Sequence, residues 1–266
     1  MKKNLWILTT VIVLWIAVFS IDAFSATLFE ANWDVGSTCS ADNIRSGAWA
    51  GSGGTGAGDC ANPCACYDIG TGGIGGRNYL VLKMMNRGSG NVNGNISLDN
   101  PATLYVRLWF RMIQYVNSQH PVYLNSSTYP SAGVCLLRGY NDSLSIIPGT
   151  GAPVYFPNFN INLNQWYLFE VKITGGGTSN GVVLVRLNGA DITANMNNYV
   201  NGRSLSADNG SFTIPSINNI NIENYDKAGY SGPWLHIARL KITDGPNWIG
   251  GGEAPNPPKN LVIISN

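Results

Sequence analysis

The stretch ATLYVRLWFRMIQYV, residues 102–116, decides the fold. Its apolar residues alternate instead of recurring at helical spacing, and alternation marks a strand because successive side chains leave opposite faces. One face carries Val106, Leu108, Phe110 and Met112, a set suited to a core. The other carries Tyr105, Arg107, Trp109 and Arg111.

Working outward, NQWYLFEVKIT (164–174) reads the same way. Tyr167, Phe169, Val171 and Ile173 form its core face, and Trp166, Leu168, Glu170 and Lys172 the other. A glycine-rich turn, GGGTSNG, leads into GVVLVRLNGADI, where Val183, Val185 and Leu187 oppose Arg186 and Asn188. Asn188-Gly189 then opens the next hairpin turn. Eleven such segments predict strands over 27–33, 77–86, 94–98, 103–116, 133–138, 153–156, 166–174, 181–188, 212–214, 217–223 and 234–243. In the last of them His236 alternates with Trp234 and Ala238. The glycine-rich span 51–76 reads as a long loop, and no repeat of 20 to 50 residues is present. Many strands without helices predict an all-β fold, a two-sheet antiparallel sandwich.

Residues 1–25 read as a secretory signal: Lys2 and Lys3, an apolar run from Leu5 to Phe19, then Ala23-Phe24-Ser25 at the cleavage site. Residues 26–250 form one domain, and 251–266 a proline-rich tail or linker in which closely spaced prolines exclude a central strand. The expected location is secreted, periplasmic or cell-surface, with no membrane association after the signal is removed. Loss of Lys2, Lys3 and Asp22 leaves 14 basic and 14 acidic groups. That balance offers no basic stripe for phosphates, so nucleic acid is excluded as a partner. In an oxidising compartment cysteines pair, so Cys39, Cys60, Cys64 and Cys66 are the disulfide candidates, with Cys135 in AGVCLLRG the free thiol.

With only 12% charged residues, the surface offers neutral hydrogen bonds and aromatic faces, which suit sugars. The face bearing Tyr105, Arg107, Trp109 and Arg111 is the candidate binding surface, with Trp166 and Lys172 extending it if their strand lies alongside. Arginine supplies planar donor forks for hydroxyls or carboxylates, and tryptophan a flat ring for stacking. The competing reading of that face is a solvated outer sheet with cation–π pairs.

Trp166-Tyr167, the alternating strand, the glycine-rich turn and VRLNG together resemble the concanavalin A-like lectin/glucanase jelly rolls, including polysaccharide lyases and laminin-G-like modules. The closing NIENYDKAGYSGPWLHIARLKITDGPNWIG is similar to their final strands. The resemblance implies two curved sheets with a polysaccharide on the concave face or its rim.

Three functions are weighed on residues. Glycosidases of this fold use closely spaced acids, one protonating the leaving oxygen while the other attacks or activates water. The four glutamates, Glu30, Glu170, Glu223 and Glu253, form no such set. A lyase needs a group to neutralise a uronate and a base to take the C5 proton. YDKAGY is similar to the Tyr-x-Lys-x-Gly-x-Tyr signature of alginate-type lyases, but its second tyrosine comes one residue early. Gln119-His120 stands where Gln-Ile/Val-His is expected, and Trp109 interrupts Arg-x-Glu-x-Arg. For a lyase the candidates are therefore Tyr225, Tyr230 and His120 as base and Arg107 as neutraliser. His120 precedes Pro121 and is expected in a turn. Calcium is the only cofactor the resemblance brings in. Glu30 and Asp34 are its candidate ligands, but Ala238 and Arg239 occupy positions where relatives carry Asp. The reading preferred here is a secreted carbohydrate-binding module; a β-eliminating lyase is the alternative, and a structural surface protein without a sugar ligand the second.

Overall fold

A computed structural model describes residues 26–40, 57–58, 63–84, 88–95, 102–116, 119–125, 134–140, 143–147, 154–175, 178–192, 198–199, 211–214, 216–224, 230–245 and 248–249. In chain order the strands begin with β1 (Thr27–Ala31), β2 (Ala57–Gly58), β3 (Tyr67–Gly70), β4 (Tyr79–Met84), β5 (Gly88–Asn95) and β6 (Thr103–Met112). There follow β7 (Gln119–Asn125), β8 (Val134–Tyr140), β9 (Ser143–Ile147), β10 (Val154–Asn160), β11 (Trp166–Thr174) and β12 (Thr178–Leu187). The last are β13 (Ala190–Asp191), β14 (Asn198–Tyr199), β15 (Ser211–Ile214), β16 (Asn219–Asn224) and β17 (Gly232–Thr243). Among the described residues, helix is confined to Pro63–Cys66 and a 3-10 turn at Ile74–Gly76.

The strands form two antiparallel sheets, as the alternation predicts. A nine-stranded sheet runs β13-β12-β11-β6-β17-β4-β3, with β1 on β17 and β15 on β12. An eight-stranded sheet runs β14-β10-β9-β8-β7-β16-β5-β2. The strand β6, which carries residues 103–112, sits in the middle of the larger sheet between β11 and β17.

The core lies between the sheets. Val106, Leu108, Phe110 and Met112 are at most 2% exposed and share one cluster with Tyr167, Phe169, Val122, Leu124, Ile220 and Ile222. Each side chain buried this way contributes roughly 1.5–3 kcal/mol. Asn224 crosses the same interior from β16: its Nδ2 donates to the Cys66 and Lys83 carbonyls, and its Oδ1 accepts from Trp234 Nε1 at 2.9 Å. A buried polar group with all of these partners ties one sheet to the other.

Four local expectations are corrected. Gln119–Asn125 is a strand, not a turn at His120-Pro121; Pro121 is accommodated because the β7–β8 pairing is irregular between Gln119 and Val122. Ser143–Ile147 is a strand that the alternation did not reveal. The span 51–76 contains β3, an edge strand of the larger sheet, as well as loop. Trp234 does not share a face with His236, since a bulge between Pro233 and Leu235 turns it into the core at 1% exposure. A second bulge in β17, between Ala238 and Lys241, contains Arg239 at φ 49°. The Asn188-Gly189 turn stands as read, both residues at positive φ (51° and 81°) and closing β12 onto β13.

Cys39 and Cys64 form a disulfide across 25 residues, fixing the segment after β1 to the short helix. Cys66, fully buried, is disulfide-bonded as well. Cys60 and the side chain of Cys135 lie outside the described residues, as do the signal and tail segments.

Candidate functional site

The outer face of the nine-stranded sheet is ordered by register into rows. Arg111 on β6 stands between Trp166 of β11 and His236 of β17. Trp109 stands between Leu168 and Ala238, Arg107 between Glu170 and Lys241, and Tyr105 between Lys172 and Thr243. The pairing of β11 with β6 thus brings Trp166 and Lys172 onto the face of Tyr105, Arg107, Trp109 and Arg111.

Much of that face is covered. Tyr105 is 1% exposed and Trp109 5%. Trp109 packs with Leu168 and Ala238 under Ile74, Tyr79 and Trp166. The segment after β17 folds back over the other end, where Trp248 meets Tyr105 edge-on at 5.5 Å and receives the Arg186 guanidinium at 4.2 Å. Arg107 Nη1 donates to the Ile249 carbonyl at 2.9 Å, and its Nε lies 4.0 Å from Glu170 Oε1. Burial pushes the Glu170 carboxyl up, against the pull of Arg107 and Arg186. Lys172 Nζ sits 5.4 Å from the Tyr105 ring centre. Arg107 thus draws its partners from a neighbouring strand and from Ile249. Tyr105 and Trp109 offer no open ring to a sugar.

The far end of the face is less covered. Arg111 Nε and Nη2 reach His236 Nδ1 at 3.2 and 2.8 Å, and Nη2 also donates to the Tyr79 hydroxyl oxygen at 3.2 Å. The guanidinium lies 4.8 Å from the Trp166 ring and 5.3 Å from that of Tyr79. Burial first, and Arg111 second, lower His236 to about 4, so its ring is neutral at pH 7. An arginine cannot accept a hydrogen bond, so Nδ1 is the acceptor and Nε2 carries the proton. His236 and Tyr79 were not singled out from sequence as members of this cluster, because β17 comes to lie beside β6, and β4 beside β17, only in three dimensions.

The outer face of the eight-stranded sheet is different in chemistry. Ile220 and Ile222 enter the core, which places Asn219 and Asn221 on the other side of β16. Register sets Asn95 and Asn125 opposite Asn219, and Asn93 and Tyr123 opposite Asn221. Asn221 is 3% exposed and its Oδ1 has no hydrogen-bond partner. The alternation of asparagine in NVNGN and NINIEN was legible, but its importance depends on β5, β16 and β7 being neighbours.

The lyase-like residues divide between the two sides. Antiparallel pairing of β7 with β16 brings Gln119-His120 toward the end of β16 at Asn224, from which the chain continues into Tyr225. Tyr225 and the side chain of His120 lie outside the described residues. Tyr230 is half-buried and packs against the main core. Arg107 and Arg111 belong to the opposite side of the sandwich from β7 and β16.

Asp34 accepts from Arg77 Nη1 at 2.7 Å and from the Asn78 amide at 3.1 Å, while Glu30 pairs with Lys241 at 3.5 Å. Among the described residues, no three acidic, histidine or cysteine side chains gather as metal ligands, and no helix is long and apolar enough to cross a membrane.

No protein-family model and no curated protein matches the chain. Solved structures do. The alginate lyase Aly36B is similar at 13% identity, over 84% of this chain and 98% of that one, with a TM-score of 0.50. The cellulose-induced protein Cip1 is similar at 13% identity, over 83% and 99%, with a TM-score of 0.50. The carbohydrate esterase vb_24B_21 from the Shiga toxin-encoding bacteriophage phi24B is similar at 13%, over 83% and 99%, with a TM-score of 0.52. The chain has the concanavalin A-like jelly-roll fold that its sequence resembles.

Proposed function

We propose that this protein is an exported polysaccharide-binding module whose ligand lies along the outer face of the eight-stranded sheet. The observation that carries this reading is the amide row of β16, Asn219 and Asn221, with Tyr123 of β7 in register opposite Asn221, whose recessed Oδ1 is unpartnered. A polar atom held in this state costs roughly 1–3 kcal/mol of desolvation, which a ligand hydroxyl would offset by donating to it. Amides both donate and accept, as sugar hydroxyls do, and Tyr123 adds an aromatic edge within the row. Support also comes from the three similar structures, an alginate lyase, a cellulose-induced protein and a carbohydrate esterase.

Calorimetric titration with a uronate oligosaccharide and a neutral one tests the reading. Asn221→Ala and Tyr123→Ala should each weaken binding by about 5- to 30-fold, on the scale of a lost interface anchor. Melting temperatures of both variants are measured alongside, so that a loss of binding is read from folded protein only. Parent-like affinity in both variants, or no binding to either sugar, overturns the proposal.

A second reading, lyase activity on a uronate polymer, draws on the approach of Gln119-His120 to the end of β16 that leads into Tyr225. There a tyrosine or histidine would take the C5 proton, the C4–oxygen bond would break, and a C4–C5 double bond would form as the leaving oxygen is protonated. Arg107, on the other side of the sandwich, has no part in it. Ultraviolet absorbance of unsaturated uronate, present for the parent and lost in Tyr225→Phe, would promote this reading; its absence would retire it.

A further inference from the structure

The Arg111 cluster carries donors that no described group accepts from. A guanidinium has five N–H groups. Those on Nε and Nη2 go to His236 Nδ1 and the Tyr79 oxygen, and the two on Nη1 meet no acceptor among the described residues. His236 Nε2–H also has no acceptor there, and the Tyr79 hydroxyl, whose oxygen accepts from Arg111, retains its own proton to donate. Among the described residues Arg111 has no carboxylate partner: its polar contacts are a neutral imidazole and a phenol, and Glu170 stands two rows away opposite Arg107. Elsewhere among the described residues, Arg77, Lys83, Arg107 and Lys241 each have an acid within 4.0 Å.

We propose that Arg111, His236 and Tyr79, with the guanidinium plane held against Trp166, form an oxyanion site for the carboxylate or sulfate group of an acidic saccharide. The site lies on the opposite side of the sandwich from the amide row. An oxyanion supplies acceptors only, which is what this set of donors lacks, and charge assistance makes such bonds stronger than neutral ones. Half-burial of Trp166 and Tyr79 keeps water partly away from the pair, so less of the attraction is lost to screening than at an open surface. The saccharide as carrier rests on the function proposed above; capture of the oxyanion does not.

The chain has two histidines, so the imidazole signals of His236 can be followed by nuclear magnetic resonance. The probes are glucuronate, inorganic sulfate and glucose, added to the full mature protein at pH 7. Saturable shifts of the His236 signals are expected with glucuronate, sulfate or both, and none with glucose. Glucuronate alone identifies a carboxylate site and sulfate alone a sulfate site. Arg111→Gln should weaken saturation at least tenfold. Should that variant fail to fold, Tyr79→Phe, which deletes one donor and keeps the ring, should weaken it about threefold. No saturable shift with either anion, an equal shift with glucose, or parent-like saturation in the folded variants overturns the proposal. Asn221→Ala should leave these shifts unchanged, so failure of the amide-row reading and failure of this one are seen separately.

Discussion

Arg107 is held by groups far from it in sequence: Glu170 on the neighbouring strand and the Ile249 carbonyl 142 residues away. Its truncation would act on stability, because it leaves the Glu170 carboxylate buried with one counter-charge fewer. Arg107→Ala should cost about 2–3 kcal/mol in urea unfolding, and under 1 kcal/mol in a Glu170→Gln background, where no charge is stranded. Equal losses in the two backgrounds would show that the pair is not coupled. His236 bears on pH. Its folded pKa of about 4 lies below the ordinary 6.5, so between these values the unfolded chain binds more protons. The stabilisation is fully present above about pH 6.5 and is lost as pH falls toward 4. At 8% exposure the whole effect is on the order of 3 kcal/mol. Melting temperatures from pH 7 to pH 4 should therefore fall more steeply for the parent than for His236→Gln; parallel curves would refute this.

At the scale of elements, bulges and one covalent link correct what periodicity leaves open. Two bulges in β17 change which residues face inward, so that Trp234, Leu235, Ile237, Leu240 and Ile242 all enter the core. Strict alternation could not place Trp234 there. The Cys39–Cys64 bridge acts where apolar burial is sparse, joining the segment after β1 to the helix that leads into β3. For a 25-residue separation the loss of unfolded-chain freedom corresponds to about 3 kcal/mol. Cys39→Ala should lower the unfolding free energy by that amount, measured by denaturant titration without reductant, whereas a change below about 1 kcal/mol would mean the segment is held by other contacts. The strand β7 illustrates the opposite difficulty. Its His-Pro pair signals a turn locally, yet Gln119 pairs with β8 before it and Val122–Leu124 pair with both β8 and β16 after it, which keeps the chain extended through it.

At the scale of the whole molecule, the sequence determined the sandwich and the inward-facing sets of its regularly alternating strands. Those properties follow from local alternation, since a strand's side-chain period is two wherever the strand lies. The inward faces of β6 and β11 are as read, and so is the Asn-Gly turn. What the tertiary structure decided is which of the outward faces is open. Tyr105 and Trp109 are covered because Trp248, Tyr79 and Ile74 return over them from distant parts of the chain. Arg111 acquires its histidine and tyrosine from β17 and β4, while the asparagines of β5, β16 and β7 become one row only through strand order and register. A strand's sequence states which residues share a face; which strands lie beside it, and what folds back over that face, depend on long-range pairings that no local pattern encodes.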